Sequence, residues 1–189
     1  TLISTLEDNV VSERCEKIHS LILFFSKIEV PSMERLDHVE NDFVEFKETV
    51  EWDIKKKEKN KSLLNEATKE IIAFANTNGG QLYFGVNDEG ETVGLAKDLY
   101  LHENNWDELR RKIEDKVREK IGVVSYLDLI EFLHQKDSES NVEYIRIDIG
   151  VSVTPLWDKE TLWIRTGTSK MGLRGEEAAA YRAAKFSSR

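Results

Sequence analysis

A run of helix formers that stops on two adjacent glycines constrains this chain more than any other stretch. Residues 66–95 read EATKEIIAFANTNGGQLYFGVNDEGETVGL. Ala67, Ile71, Phe74 and Ala75 recur at helical spacing, which predicts a helix with one apolar face and with Glu66, Lys69 and Glu70 on the other. Asn78, Gly79 and Gly80 end it, because such residues accept the positive φ that stops a helix. Residues 81–86 then read as a compact buried strand. Asn87-Asp88-Glu89-Gly90 has turn chemistry and leads into a second strand over 91–95. Asp88 is thereby placed at the mouth of a strand end.

The flanking segments supply the partners for this unit. Val44, Phe46, Val50 and Trp52 alternate with Phe43, Glu45, Lys47 and Thr49, the pattern of a strand over 38–52 with one apolar face. Glu45 and Lys47 share the other face, and Glu40 falls before the strand or across a bulge. Residues 55–61, KKKEKNK, lack apolar periodicity and read as an exposed loop, either merely solvated or touching phosphates. Asn104 or Asn105 caps a helix whose inner stripe is Trp106, Leu109, Ile113, Val117 and Ile121, and Gly122 ends it. Residues 123–133 and 142–149 read as two strands of a hairpin. Pro155 marks an irregular connection. Residues 161–166 form a further strand with Trp163 and Arg165 on one face, and a last helix covers about 175–186.

Residues 1–30 carry Leu6, Val10, Ile18, Leu21, Ile22, Phe25 and Ile28 at a spacing that suits one long amphipathic helix or two short ones, closed by Pro31. Such a helix packs on its own domain, pairs with a second copy, or links to another domain. The expected organisation is a helical appendage over 1–36 and one domain over 37–189. The chain opens on Thr1 instead of Met, which suggests a fragment with neighbouring domains missing.

Charge narrows the function classes. A net charge of −9 argues against a generic polyanion binder, since phosphate contacts need clustered Lys and Arg. From Lys159 onward, however, seven Lys or Arg stand against three Glu. This basic end is either a nucleic-acid face or a solvated helix. Cys15 is the single cysteine, so neither an internal disulfide nor a cysteine zinc cluster can form. The longest apolar run, 21–25, is far too short to span a bilayer. A cytoplasmic protein is expected.

Phosphate-loop, dinucleotide-binding and paired-histidine metal motifs are all missing, and no nucleophile-elbow sequence is present. The remaining signal is acidic. Glu40 and Glu45 lie before and within one strand and Asp88 ends another, three oxygen ligands of the kind that suit Mg²⁺ or Mn²⁺. Lys47, beside Glu45, is a candidate to steady developing charge on a phosphate. A chain with 36 carboxylates also offers many triplets that are only solvated.

The combination of Glu45-Phe46-Lys47, then residues 72–80 (IAFANTNGG), then Phe84-Gly85-Val86-Asn87-Asp88 and Val93-Gly94-Leu95 resembles the AlbA-type domain of the Schlafen family. The segment 163–169 (WIRTGTS), followed by a helix with Glu177 and Tyr181, resembles the family's closing strand and helix. The likeness covers about 39–186. It implies an α/β (α+β) domain with a mixed sheet flanked by helices, found in DNA-binding regulators and in endoribonucleases that cut tRNA with two glutamates and an aspartate. Carried over, those residues are Glu40, Glu45 and Asp88, with Asn87 leaving the last alignment open by one position. The expected activity is thus divalent-metal-dependent endoribonuclease action on structured RNA such as tRNA, or a non-catalytic DNA- or RNA-binding role. Trp163, Arg165, Lys170 and Arg174, with Lys47, are the expected nucleic-acid contacts. Nuclease-type relatives hold two lobes and a zinc site, whereas this chain has one lobe, so a homodimer is the expected assembly.

Overall fold

The computed structural model describes residues 39–186. The N-terminal amphipathic segment and the proposed boundary near residue 36 lie outside the described residues. The described elements run β1 (Val44–Lys47), β2 (Trp52–Asp53), β3 (Glu58–Lys59), α1 (Ser62–Asn76), β4 (Gly80–Phe84), α2 (Ala96–Tyr100), α3 (Trp106–Ile121), α4 (Val123–Leu129), β5 (Ile130–Lys136), β6 (Glu143–Ile149), β7 (Leu162–Thr166), β8 (Ser169–Leu173) and α5 (Gly175–Phe186). Four strands form a mixed sheet in the order β1-β4-β6-β5. β1 runs parallel to β4, and the β4-β6 and β6-β5 pairs are antiparallel. The domain is therefore α/β with a mixed sheet flanked by helices, as the family resemblance implies.

Helices α1 and α3 cover one face of the sheet. Leu82, Phe84, Ile145, Ile147 and Ile149 meet Ile71, Phe74, Leu109, Ile113 and Val117 in the main core. The expected stripe of α3 is the buried one, and Asn105 caps it by accepting from the N–H groups of Asp107 and Glu108. α1 departs from a simple amphipathic helix. Its last nine residues are buried except Lys69, and Glu70 is 4% exposed, because β7 packs on the side that a two-layer reading leaves to solvent.

The glycine pair at the end of α1 is required by space. A Cβ on Gly79 would lie 2.6 Å from the Ile149 carbonyl, and one on Gly80 would strike the Phe74 ring and lie 2.7 Å from the Phe43 carbonyl. Chain reversal and close approach of β4 to β1 and β6 occur together here.

Five local expectations change. The strand expected over 38–52 is regular only at Val44–Lys47, and both its faces are covered, so Glu45 is 5% exposed. Residues 91–95 make one isolated bridge, Val86 with Thr92, instead of a strand. Residues 123–129 are a helix: Tyr126 packs under the Arg118 guanidinium, 4.7 Å from its ring, and this docking on α3 overrides the β-branched Val123-Val124. The tail expected to pass from 166 straight to a helix makes a second hairpin strand, β8, paired with β7. Residues 55–61 are also more ordered than an irregular loop. β2 and β3 pair, and Asp53 accepts from the N–H groups of Lys55 and Lys56. Among the described residues, no helix is long and apolar enough to cross a membrane.

Candidate nucleic-acid interface and buried ion cluster

β1 is the strand on which the expected site depends. Its residues Glu45 and Lys47 point to the same side as Leu82 and Phe84 of β4, toward α1. There Glu45 meets Arg165, which β7 delivers from across the top of α1. Arg165 Nη2 lies 2.7 Å from Glu45 Oε2, and Nη1 lies 2.9 Å from Glu70 Oε2. The Arg165 side chain is 1% exposed and its guanidinium stacks 4.7 Å from the Phe74 ring. It also donates to the carbonyls of Asn41 and Val44, at 3.1 and 3.3 Å. The Glu45 pair has the distance of an ion pair without the angle of a hydrogen bond, and Arg165 Nε and Glu45 Oε2 have no hydrogen-bond partner among the described residues. Lys170 completes the chain of charges, 2.6 Å from Glu70 Oε1. Lys47 Nζ takes the other Glu45 oxygen and donates to the Phe46 carbonyl at 2.8 Å.

Glu40 approaches the same strand from its open side. Its Oε1 accepts from the Phe46 N–H at 2.9 Å, capping a main-chain donor that faces away from β4. Burial pushes the Glu40 carboxyl above its usual range, against the lowering effect of the Phe46 N–H, and the neighbouring charges of Glu45 and Asp88 push the same way. Asp88 is exposed in the turn after β4. Glu45 and Asp88 are thus each within electrostatic reach of Glu40.

The donor chemistry of these acids suits a hard divalent cation. Among the described residues no three His, Cys, Asp or Glu side chains come together as a metal-binding group. Glu45 is buried and faces two cations, Lys47 and Arg165, while one Glu40 oxygen is spent on Phe46.

The expected nucleic-acid face is also rearranged. Arg165 points inward, and Lys170 is engaged by Glu70, with Glu66 3.6 Å away. Trp163 is half-buried beneath Lys69, whose Nζ lies 5.2 Å from the ring centroid. Arg174 remains exposed and donates to Thr161 Oγ1. Glu70 is the residue sequence reasoning missed. Its helical position among Ile71, Ile72 and Ala73, where no solvent face remains, was the available signal.

Open positive charge lies elsewhere. Lys55, Lys56 and Lys57 are exposed on the β2-β3 turn, and Lys61 follows at the start of α1. None of the four has an acid within 4.0 Å among the described residues. Asp53 fixes this turn; the N–H groups that bind its carboxylate hold it below the usual range. Lys61 also borders a shallow groove with Asn65, Lys112 and Lys116, where Glu51, Asp115 and Glu119 contribute acid.

The Schlafen AlbA_2 family model matches residues 40–174, most of the described chain. This chain belongs to the Schlafen AlbA_2 family. The AlbA_2 domain is of the nucleic-acid-binding kind. Its fold is similar to that of the DIP2311 protein from Corynebacterium diphtheriae, at a TM-score of 0.53 and 19% identity. That match covers 76% of this chain and 27% of the other, so this AlbA_2 chain spans about a quarter of the larger protein's length.

Proposed function

We propose that this AlbA_2 domain binds nucleic acid by phosphate contacts from the β2-β3 hairpin, as a non-catalytic regulator or assembly module. The observation that carries the reading is the run Lys55-Lys56-Lys57, exposed on a turn ordered by Asp53 and without acidic partners among the described residues. An acidic body with one basic projection engages a polyanion locally and repels it elsewhere, so binding is weak at high salt and oriented. The buried Glu45-Arg165-Glu70 cluster serves the scaffold in this reading.

A second reading is divalent-metal-dependent cleavage of structured RNA, such as tRNA, by Glu40, Glu45, Asp88 and Lys47 with Mg²⁺ or Mn²⁺. Burial raises the proton affinity of Glu40 most, and the charges of Glu45 and Asp88 add to it; this mutual influence of acids from separate segments supports the reading.

One experiment separates the two. Labelled tRNA and a matched DNA duplex are incubated with the protein with and without Mn²⁺. Binding without cleavage, weakened by joint Lys55→Ala, Lys56→Ala and Lys57→Ala substitution, is the expected result. Mn²⁺-dependent nicking lost in Glu45→Gln or Asp88→Asn would replace it with the second reading. Absence of binding to either polymer at low salt would remove both.

A further inference from the structure

The two edges of the mixed sheet are treated differently. On β1 the outward main-chain groups are closed: Phe46 N–H by Glu40, and the Val44 carbonyl by Arg165 and Asn41. β5, at the opposite edge, has no such cover among the described residues. Its bonding phase follows from its ends. The Gly150 N–H donates to the Leu129 carbonyl and the Asp137 N–H to the Val142 carbonyl, so odd-numbered residues of β5 bond to β6. The main-chain groups of Phe132, His134 and Lys136 and the Ile130 carbonyl therefore point out of the sheet. The Ile130 N–H is already taken by the Tyr126 carbonyl of α4. This edge is seven residues long and contains no proline. A bare edge of that length is a template for another strand.

The residues on the edge fit a second copy of the same edge. Antiparallel pairing must join even-numbered residues to even-numbered ones, and three registers keep the overlap long. A two-fold axis at His134 sets Glu131 against Asp137, a like-charge pair. An axis at Phe132 leaves Lys136 beyond the partner strand. An axis at Leu133 uses the whole strand: Phe132 bonds to His134 in both directions, and the Lys136 N–H reaches the Ile130 carbonyl. Across it Glu131 faces Gln135 and Leu133 faces its own copy, with no like charges opposed. At the start of β5 the adjoining α4 exposes Val123, Val124 and Leu127, at 60%, 75% and 74%. These supply apolar area beside the paired strands.

We infer that two copies of this chain join through β5, about a two-fold axis at Leu133, to form one continuous eight-stranded sheet. The inference is independent of nucleic-acid binding and of catalysis.

Sedimentation equilibrium of the full chain over a range of concentrations tests it. The wild type is expected to dimerise. Gln135→Glu keeps an acceptor for the Tyr144 hydroxyl, which donates to Gln135 Oε1 at 2.9 Å, but sets Glu131 against a new carboxylate on both sides of the axis. It is expected to weaken the dimer roughly tenfold, with an unchanged melting temperature at dilution where both proteins are monomeric. Glu131→Lys combined with Gln135→Glu restores opposite charges and the dimer. A wild type that stays monomeric at high concentration overturns the inference. So does a dimer indifferent to both variants, which would place the contact elsewhere.

Discussion

Arg165 pairs with two buried carboxylates, Glu45 and Glu70, each of which also meets a lysine. It comes from β7, Glu45 from β1 and Glu70 from α1, so one guanidinium ties three elements that are far apart in the chain. A buried cluster of this kind contributes little net stability against an apolar substitute, yet removing Arg165 is costly because two buried carboxylates then share only the lysines Lys47 and Lys170. Arg165→Ala is therefore expected to lower unfolding free energy by about 3–5 kcal/mol, measured by urea denaturation. Glu40 offers a test of opposite sense. Its folded-state proton affinity is raised above that of the unfolded chain, so the native state binds the extra proton and stability falls as pH rises from about 4.5. Glu40→Gln keeps the acceptor for Phe46 and removes that loss. Measured by thermal melts from pH 4 to 7, the variant should gain on the wild type as pH rises; a constant difference would show that Glu40 is not perturbed.

At the scale of elements, the joint between α1 and the β7-β8 hairpin is made by the last residues of the helix. Asn76 Nδ2 donates to the carbonyls of Leu156 and Trp163, and its Oδ1 accepts from the Leu156 N–H. Its own carbonyl accepts from the Tyr181 hydroxyl of α5, and Thr77 Oγ1 accepts from the Arg165 N–H. The residues that end the helix thus also place the strand carrying Arg165. Asn76→Ala leaves two buried carbonyls and an N–H without these partners and is expected to cost about 2–4 kcal/mol, from about 1–3 for each group left unsatisfied with partial relaxation. Hydrogen exchange should show the loss first in β7 and β8. If protection falls equally in β5 and β6, the joint is not local to this hairpin.

For the molecule as a whole, the balance of charge sets how nucleic acid can be held. The chain carries −9, so only a local basic surface can attract a polyanion. If Lys55, Lys56 and Lys57 each contact one phosphate of duplex DNA, log affinity falls with log salt at a slope of about −2.7, from −0.9 per phosphate. Affinity then drops roughly 40-fold between 50 and 200 mM salt. Fluorescence anisotropy across that range measures it, and the triple alanine variant should flatten the line. A slope unchanged in that variant would move the contact off the hairpin.

What was legible in the sequence is local or periodic. The stop of α1 at Gly79-Gly80 and the capped stripe of α3 follow from spacing, capping and backbone freedom, which neighbouring residues decide, while the mixed sheet was legible only through the family resemblance. The acids Glu40, Glu45 and Asp88 could be named from their segments, and the charges of Glu45 and Asp88 both act on Glu40. Their surroundings could not be named, because those depend on side chains a hundred residues away. Glu45 is buried because Arg165 crosses α1 to meet it, 120 positions later in the chain. The helix over 123–129 follows from docking against Arg118, and the inward turn of Arg165 from a second hairpin laid on α1. Alternation in a strand says which residues share a face; only the tertiary structure decides whether that face meets water or another layer.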